Sequence, residues 1–211
     1  MCRKKRAVIL TLGCKVNQYE SEAFAEMLRR SSFETIFAEA EENTGDQEAD
    51  ICIVNTCSVT AEADRKSRQL VRRMIKEHPG ASVYVTGCAA QAAPEIFSKI
   101  PGVCGVVGNA KKTDIVRLSE NCCVTGKSGE ASICGCDIDG AEFEDMSITK
   151  FRRARAYIKI EDGCESKCAY CIIPSVRGKI RSKPRDAVLK EAAALTAGGC
   201  PELVLTGIET S

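Results

Sequence analysis

Tryptophan is absent from the 211-residue chain, and histidine occurs once, at position 78. A zinc or acid–base site built on imidazole is therefore excluded as its main chemistry. His78 precedes Pro79-Gly80, a helix-ending pair, and reads as structural. No apolar run approaches the ~18 residues of a membrane span. The basic start, Met1 to Arg6, is followed by too short an apolar stretch, Ala7 to Leu12, for a secretion signal. A cytosolic protein without membrane attachment is expected. Neither sign of charge dominates, with 30 basic and 29 acidic side chains. The balance is nevertheless uneven, because Lys150 to Arg185 holds eleven basic and three acidic residues. That segment suits a polyanion such as RNA, or else forms a solvated face.

What the chain does have is cysteine, 14 residues of it. In a cytosolic chain long enough to build an apolar core, such a count points to metal or redox chemistry rather than disulfides. Apolar, β-branched runs at Ala7–Gly13, Ile51–Asn55, Ser82–Thr86 and Val103–Val107 predict strands. Helical patterns alternate with them. Asn17 and Glu20 read as an N-cap and capping box ahead of Ala23, Phe24, Met27 and Leu28. Further helices are expected over 61–77, 94–99 and 113–119. Strand–helix alternation with continuously apolar strands predicts an α/β domain with a parallel sheet.

Three of these strands run into a cysteine: Leu12-Gly13-Cys14, Asn55-Thr56-Cys57 and Thr86-Gly87-Cys88. Ligands of open parallel sheets sit beyond the carboxyl ends of the strands, so the three thiols are expected to converge. Buried structural cysteine is the alternative. Residues 121–150 read as an irregular linker, with at most a short strand pair, and their Cys122, Cys123, Cys134 and Cys136 as incidental. A second unit follows, with strands at Ala156–Ile160 and Leu203–Thr206 and a helix over 184–197. Its loop reads Cys164-Glu-Ser-Lys-Cys168-Ala-Tyr170-Cys171. Three thiolates on one tight loop can bind three irons of a cubane and leave the fourth open to S-adenosylmethionine. A zinc loop that borrows a fourth ligand is the alternative. Arg65, Arg68, Arg72 and Lys76 stripe one helix, as phosphate contacts or as a solvated face paired with carboxylates; the second is preferred.

The stretch YIKIEDGCESKCAYCIIPSVRGKIR (157–181) resembles the radical S-adenosylmethionine methylthiotransferases. So do TLGCKVNQYESE (11–22), VNTCSVT (54–60) and VTGCAAQ (85–91), in the family's order across most of the chain. The resemblance implies an N-terminal flavodoxin-like methylthiotransferase domain over 1–120, a linker over 121–150, and the first β/α unit of a truncated radical partial TIM barrel over 151–211. It also implies two 4Fe–4S clusters, an auxiliary one on Cys14, Cys57 and Cys88 and a radical-generating one on Cys164, Cys168 and Cys171. Tyr170 would pack beside bound S-adenosylmethionine, and Thr206-Gly207 would meet its methionyl amino group. Pro174, Arg177, Gly178 and Arg181 would line the mouth of the site.

Family members insert a methylthio group into an unreactive carbon, usually C2 of a modified adenosine beside a tRNA anticodon. One S-adenosylmethionine methylates a sulfur on the auxiliary cluster, and another yields the radical that abstracts hydrogen. Partners so implied are tRNA and an electron donor such as flavodoxin or ferredoxin. Gly13 to Gln18 resembles the subgroup acting on N6-threonylcarbamoyladenosine. Subgroups acting on isopentenyladenosine or a ribosomal-protein aspartate are alternatives, as is a non-catalytic thiolate metal-binding module. Family members continue into a complete barrel and an RNA-binding β-barrel, so these 211 residues alone are expected to be inactive.

Overall fold

The computed structural model describes residues 3–46, 48–125 and 131–210, the side chains of 121–125 excepted. Six parallel strands form the main sheet: β1 (Arg6–Thr11), β2 (Glu34–Ala38), β3 (Ile51–Thr56), β4 (Ser82–Gly87), β5 (Val103–Val107) and β6 (Ser132–Cys134). They lie in the order β2-β1-β3-β4-β5-β6. The order reverses between β1 and β3, which creates the crevice where open α/β sheets bind ligands.

Every residue of β3 and β4 is buried, because helices cover both faces. Alternate residues serve opposite layers. Val8, Leu10, Cys52, Val54, Val83 and Val85 pack with Leu70, Val71 and Met74 of α2 (Ala61–Glu77). Residues from the short helices α3 (Cys88–Ala92) and α4 (Pro94–Ser98) complete that layer. Ala7, Ile9, Ile51, Ile53 and Tyr84 face the other way, onto Tyr19, Ala23, Phe24 and Leu28 of α1 (Lys15–Arg30) and Ile115 and Val116 of α5 (Asp114–Thr125).

The second unit contains β7 (Ala156–Lys159), β8 (Glu161–Asp162), α6 (Ile173–Arg177), β9 (Arg181–Ser182), α7 (Arg185–Ala197) and β10 (Leu203–Thr206). β7 and β10 pair in parallel, and β8 and β9 antiparallel. Its Ala156, Ile158 and Leu195, with Met146 and Ile148 from the segment before it, join the α1 layer, so one apolar core runs through both units. No helix among the described residues is long and apolar enough to cross a membrane.

Three local expectations are corrected. The capping box at Asn17 and Glu20 does not form: α1 begins one turn earlier, with Cys14 at its N-cap and no side-chain cap. Both residues are instead buried inside the helix's docking face. Residues 132–134 form no strand pair of their own; they extend the main sheet beside β5. β2, α3 and α6 also appear where no element was expected, each only five residues long and below the length at which periodicity registers.

Candidate metal centre

Cys14, Cys57 and Cys88 follow three strands that are adjacent in the sheet, β1, β3 and β4, at its carboxyl edge. Thr11 pairs with Asn55 and Thr56 with Gly87, so register brings the three loops level. Gly87 sits at φ 96°, and a Cβ there would run into the Thr56 carbonyl. Only glycine lets β4 pass that close and turn directly into α3 at Cys88. Asn17 ties the edge together, its Nδ2 donating to the carbonyls of Leu12 at 2.8 Å and Thr56 at 2.9 Å. Cys57 and Cys88 are buried and Cys14 is exposed. Burial pushes the Cys57 thiol up, and the neighbouring Cys88 and Cys14 add to the shift.

The second trio lies on the loop after β8. Gly163 sits at φ 92°, with the Lys179 carbonyl where a Cβ would go. This tight crossing starts the loop, and the Cys164 amide donates to the Gly178 carbonyl at 3.0 Å. The Cys171 amide donates to the Cys168 carbonyl at 3.0 Å. The Cys164 thiol donates to Glu209 Oε2 at 2.9 Å, and Ser166 Oγ donates to Oε1 at 3.1 Å. The bond to Glu209 raises the Cys164 thiol. Thr206 ends β10, where its carbonyl accepts the Ile160 amide at 2.9 Å. A Cβ on Gly207 would meet Glu161 Oε2 at 2.6 Å. That carboxylate accepts the amides of Ile208 at 2.6 Å and Glu209 at 2.8 Å. Tyr170 is 93% exposed and points into solvent.

Arg177 bridges α1 of the first unit and β8 of the second. Expected at the mouth of a site, it is instead fully buried. Its guanidinium meets Asp162 at 2.9 Å, Glu20 at 3.1 Å and Asn17 Oδ1 at 2.6 Å. Lys112 pairs with Glu20. Lys159 bridges Glu20 at 3.1 Å and Asp162 at 3.2 Å. Sequence reading missed Glu20, Lys112, Lys159 and Asp162. One signal was available: Lys159 interrupts the apolar strand pattern of Ala156 to Ile160, and a lysine in a buried strand needs partners.

The cysteines of both trios are thiols outside any disulfide. No three His, Cys, Asp or Glu side chains among the described residues converge as ligands of a single ion. A cubane spreads three thiolates over three irons, so it does not require such convergence. The surroundings of the first trio fit an anionic sulfur cluster. Two groups able to donate, Arg177 Nε and Thr86 Oγ1 two residues before Cys88, are buried without hydrogen-bond partners, and the charges of Cys88 and Cys14 act on Arg177.

Other candidates resolve simply. Arg65 pairs with Glu62 at 2.7 Å, and Arg68 pairs with Asp64, as a solvated helix face requires. His78 is buried, with Nε2 2.9 Å from Thr44 Oγ1. Cys134 and Cys136 are half-buried near the end of β6. The side chains of Cys122 and Cys123 lie outside the described residues.

Residues 6–108 match the description "Uncharacterized protein family UPF0004". The Threonylcarbamoyladenosine tRNA methylthiotransferase MtaB of Bacillus subtilis is 37% identical over 203 residues, 95% of this chain and 43% of that protein. The MtaB of Thermotoga maritima is 34% identical, over 97% of this chain and 44% of its own. The Ribosomal protein uS12 methylthiotransferase RimO of Chloroflexus aurantiacus is 35% identical, over 93% and 45%. The chain thus spans less than half the length of the curated relatives it matches. Among solved structures, the radical S-adenosylmethionine methyltransferase TsrM of Kitasatospora setae superposes with a TM-score of 0.63. At 15% identity, covering 97% of this chain and 48% of that one, it shows a shared fold. The chain belongs to the methylthiotransferase family of MtaB and RimO, with its UPF0004 domain at residues 6–108.

Proposed function

We propose that this chain is part of a cytosolic tRNA methylthiotransferase that inserts a methylthio group at C2 of N6-threonylcarbamoyladenosine. The observation that carries the reading is the placement of Cys14, Cys57 and Cys88 at the carboxyl ends of three adjacent parallel strands. Arg177 binds both Asn17, which ties that edge together, and Asp162, two residues before Cys164 of the second trio, Cys164, Cys168 and Cys171. In this reading residues 1–120 form the methylthiotransferase domain, 121–150 the linker, and 151–211 the start of the radical unit. Each trio would hold a 4Fe–4S cluster, and together with S-adenosylmethionine these would supply sulfur and a carbon radical. Tyr170 and Thr206-Gly207 would bound the S-adenosylmethionine site, tRNA would be the substrate, and a flavodoxin or ferredoxin would deliver electrons. The substrate assignment rests on relatives named for threonylcarbamoyladenosine at 30–37% identity.

A ribosomal-protein substrate is the second reading, favoured by the 35% identical RimO. Anaerobic reconstitution with iron and sulfide analysis tests the clusters. About eight irons per chain, falling to about four in a Cys164/Cys168/Cys171→Ala variant, is expected for two cubanes. Zinc without sulfide would refute the reading and favour a metal-binding module. Mass spectrometry of tRNA nucleosides and of protein uS12, from cells with and without the full-length gene, separates the two substrates.

A further inference from the structure

Five buried ionic side chains meet between the two units: Lys112, Lys159 and Arg177 against Glu20 and Asp162. Each is at most 4% exposed at its side chain. Arg181 approaches Asp162 at 3.5 Å and is nearly as buried. Cations therefore outnumber carboxylates in a place where unpaired charge is strongly unfavourable. Asn17 Oδ1 and backbone carbonyls take some of the guanidinium N–H groups, but Arg177 Nε and Arg181 Nε are both buried without an acceptor. Besides Asp162 and Glu20, the groups whose negative charge acts on Arg177 are the thiols of Cys88 and Cys14. Helix α6, which ends in Arg177, packs against α3, which begins with Cys88. Asn109 Nδ2 pins the contact by donating to the Val176 carbonyl at 2.6 Å. Asn17, which holds the Arg177 guanidinium, is one helical turn from Cys14.

We infer that Arg177 is a positioning residue for the cluster on Cys14, Cys57 and Cys88: anchored by Glu20, Asp162 and Asn17, it supplies the buried countercharge and a spare N–H to the cluster's sulfur. The inference rests on the proposed function, since it takes that trio to be a cluster site. Its consequence is that a residue of the second unit sets the electronics of a cluster in the first. Net charge and hydrogen bonds to sulfur are two of the determinants of an iron–sulfur potential. A fixed cation favours the reduced, more negative state and so raises the midpoint.

The test uses the Cys164/Cys168/Cys171→Ala background, in which only the first cluster remains, followed by redox titration monitored by electron paramagnetic resonance. Arg177→Gln is expected to shift the midpoint to more negative potential. Arg177→Lys, which keeps charge but loses the planar N–H array, should shift it less. Glu20→Gln removes an opposing carboxylate and should shift it to more positive potential. If Arg177→Gln fails to fold, the opposed shifts of Glu20→Gln and Arg177→Lys decide the matter. A purely structural role would lower thermal stability and leave all midpoints unmoved, which would overturn the inference alone. Absence of iron and sulfide from the background chain and the unsubstituted chain alike would overturn the proposed function, and the inference with it.

Discussion

Cys52 and Cys57 sit five residues apart on β3 and the loop after it, both buried. Burial alone does not distinguish a packing cysteine from a ligand; position on the strand does. Cys52 points from mid-strand into the α2 layer, whereas Cys57 lies past the carboxyl end. Cys52→Ala is therefore expected to leave iron content unchanged. Cys57→Ala should lose the first cluster, about four irons, as read by iron and sulfide analysis after reconstitution. Glycine marks the second loop for a different reason. Gly163 combines φ 92° with the Lys179 carbonyl in the place of a Cβ. Gly163→Ala should cost about 1–3 kcal/mol, visible as a lower urea midpoint in the metal-free chain. Positions were legible in sequence where a motif carried them, as with Cys14, Cys57 and Cys88 after strands and Cys164, Cys168 and Cys171 on one loop. The motif around Arg177 implies an open mouth, because the partners that bury it lie 15 to 160 residues away.

Among the elements, α2 is the one that sequence reading located best, at Ala61–Glu77 with Thr60 as its cap. Its signals are local: Thr60 Oγ1 accepts the Ala63 amide at 3.0 Å, Glu62 and Asp64 sit in the first turn, and Lys76 in the last. Thr60→Ala should destabilise the chain by about 1 kcal/mol without changing the number of irons bound, which denaturation and iron analysis on one preparation would check. Helix α1 shows the opposite case. Its polar residues resemble start signals, yet Asn17, Tyr19, Glu20 and Glu26 are buried because the end of the linker and the second unit dock on them. Tyr19 OH reaches the Met146 carbonyl at 2.6 Å and Glu191 at 3.0 Å, and Glu26 accepts the Thr149 amide at 2.7 Å. A helix that must bond to another unit carries polar groups where a lone amphipathic helix would carry apolar ones.

At the scale of the whole molecule, the two units are joined by an apolar core and by buried ion networks. Burial pushes the Glu20 carboxyl up, but Arg177, Lys112 and Lys159 more than reverse this and hold it well below the usual range. Asp162 is likewise pushed up by burial and pulled well down, chiefly by Arg177 and Lys159. A carboxylate whose folded-state value is depressed contributes stability above its unfolded value, about 4, and loses it as pH falls through the folded value. Urea stability should accordingly be level from pH 7 to 5 and fall steadily below about pH 4. Glu20→Gln should lower the plateau and flatten that acid limb; an acid limb of unchanged steepness in Glu20→Gln would remove Glu20 from the account.

By itself the sequence determined the strand–helix alternation, the parallel sheet, the placement of cysteines after strands, and the family. Each of these is written in neighbouring residues: periodicity of two or 3.6, a glycine before a cysteine, three thiols on one short loop. Tertiary structure alone decided that β1, β3 and β4 are immediate neighbours, which puts the expected convergence of Cys14, Cys57 and Cys88 on adjacent strands. It also decided that Arg177 is buried against Glu20, Asp162 and Asn17. Strand order and the pairing of buried charges depend on which distant segments meet, and local propensity carries no record of that. The ion network has its form because charges withdrawn from water must find partners wherever the fold brings them.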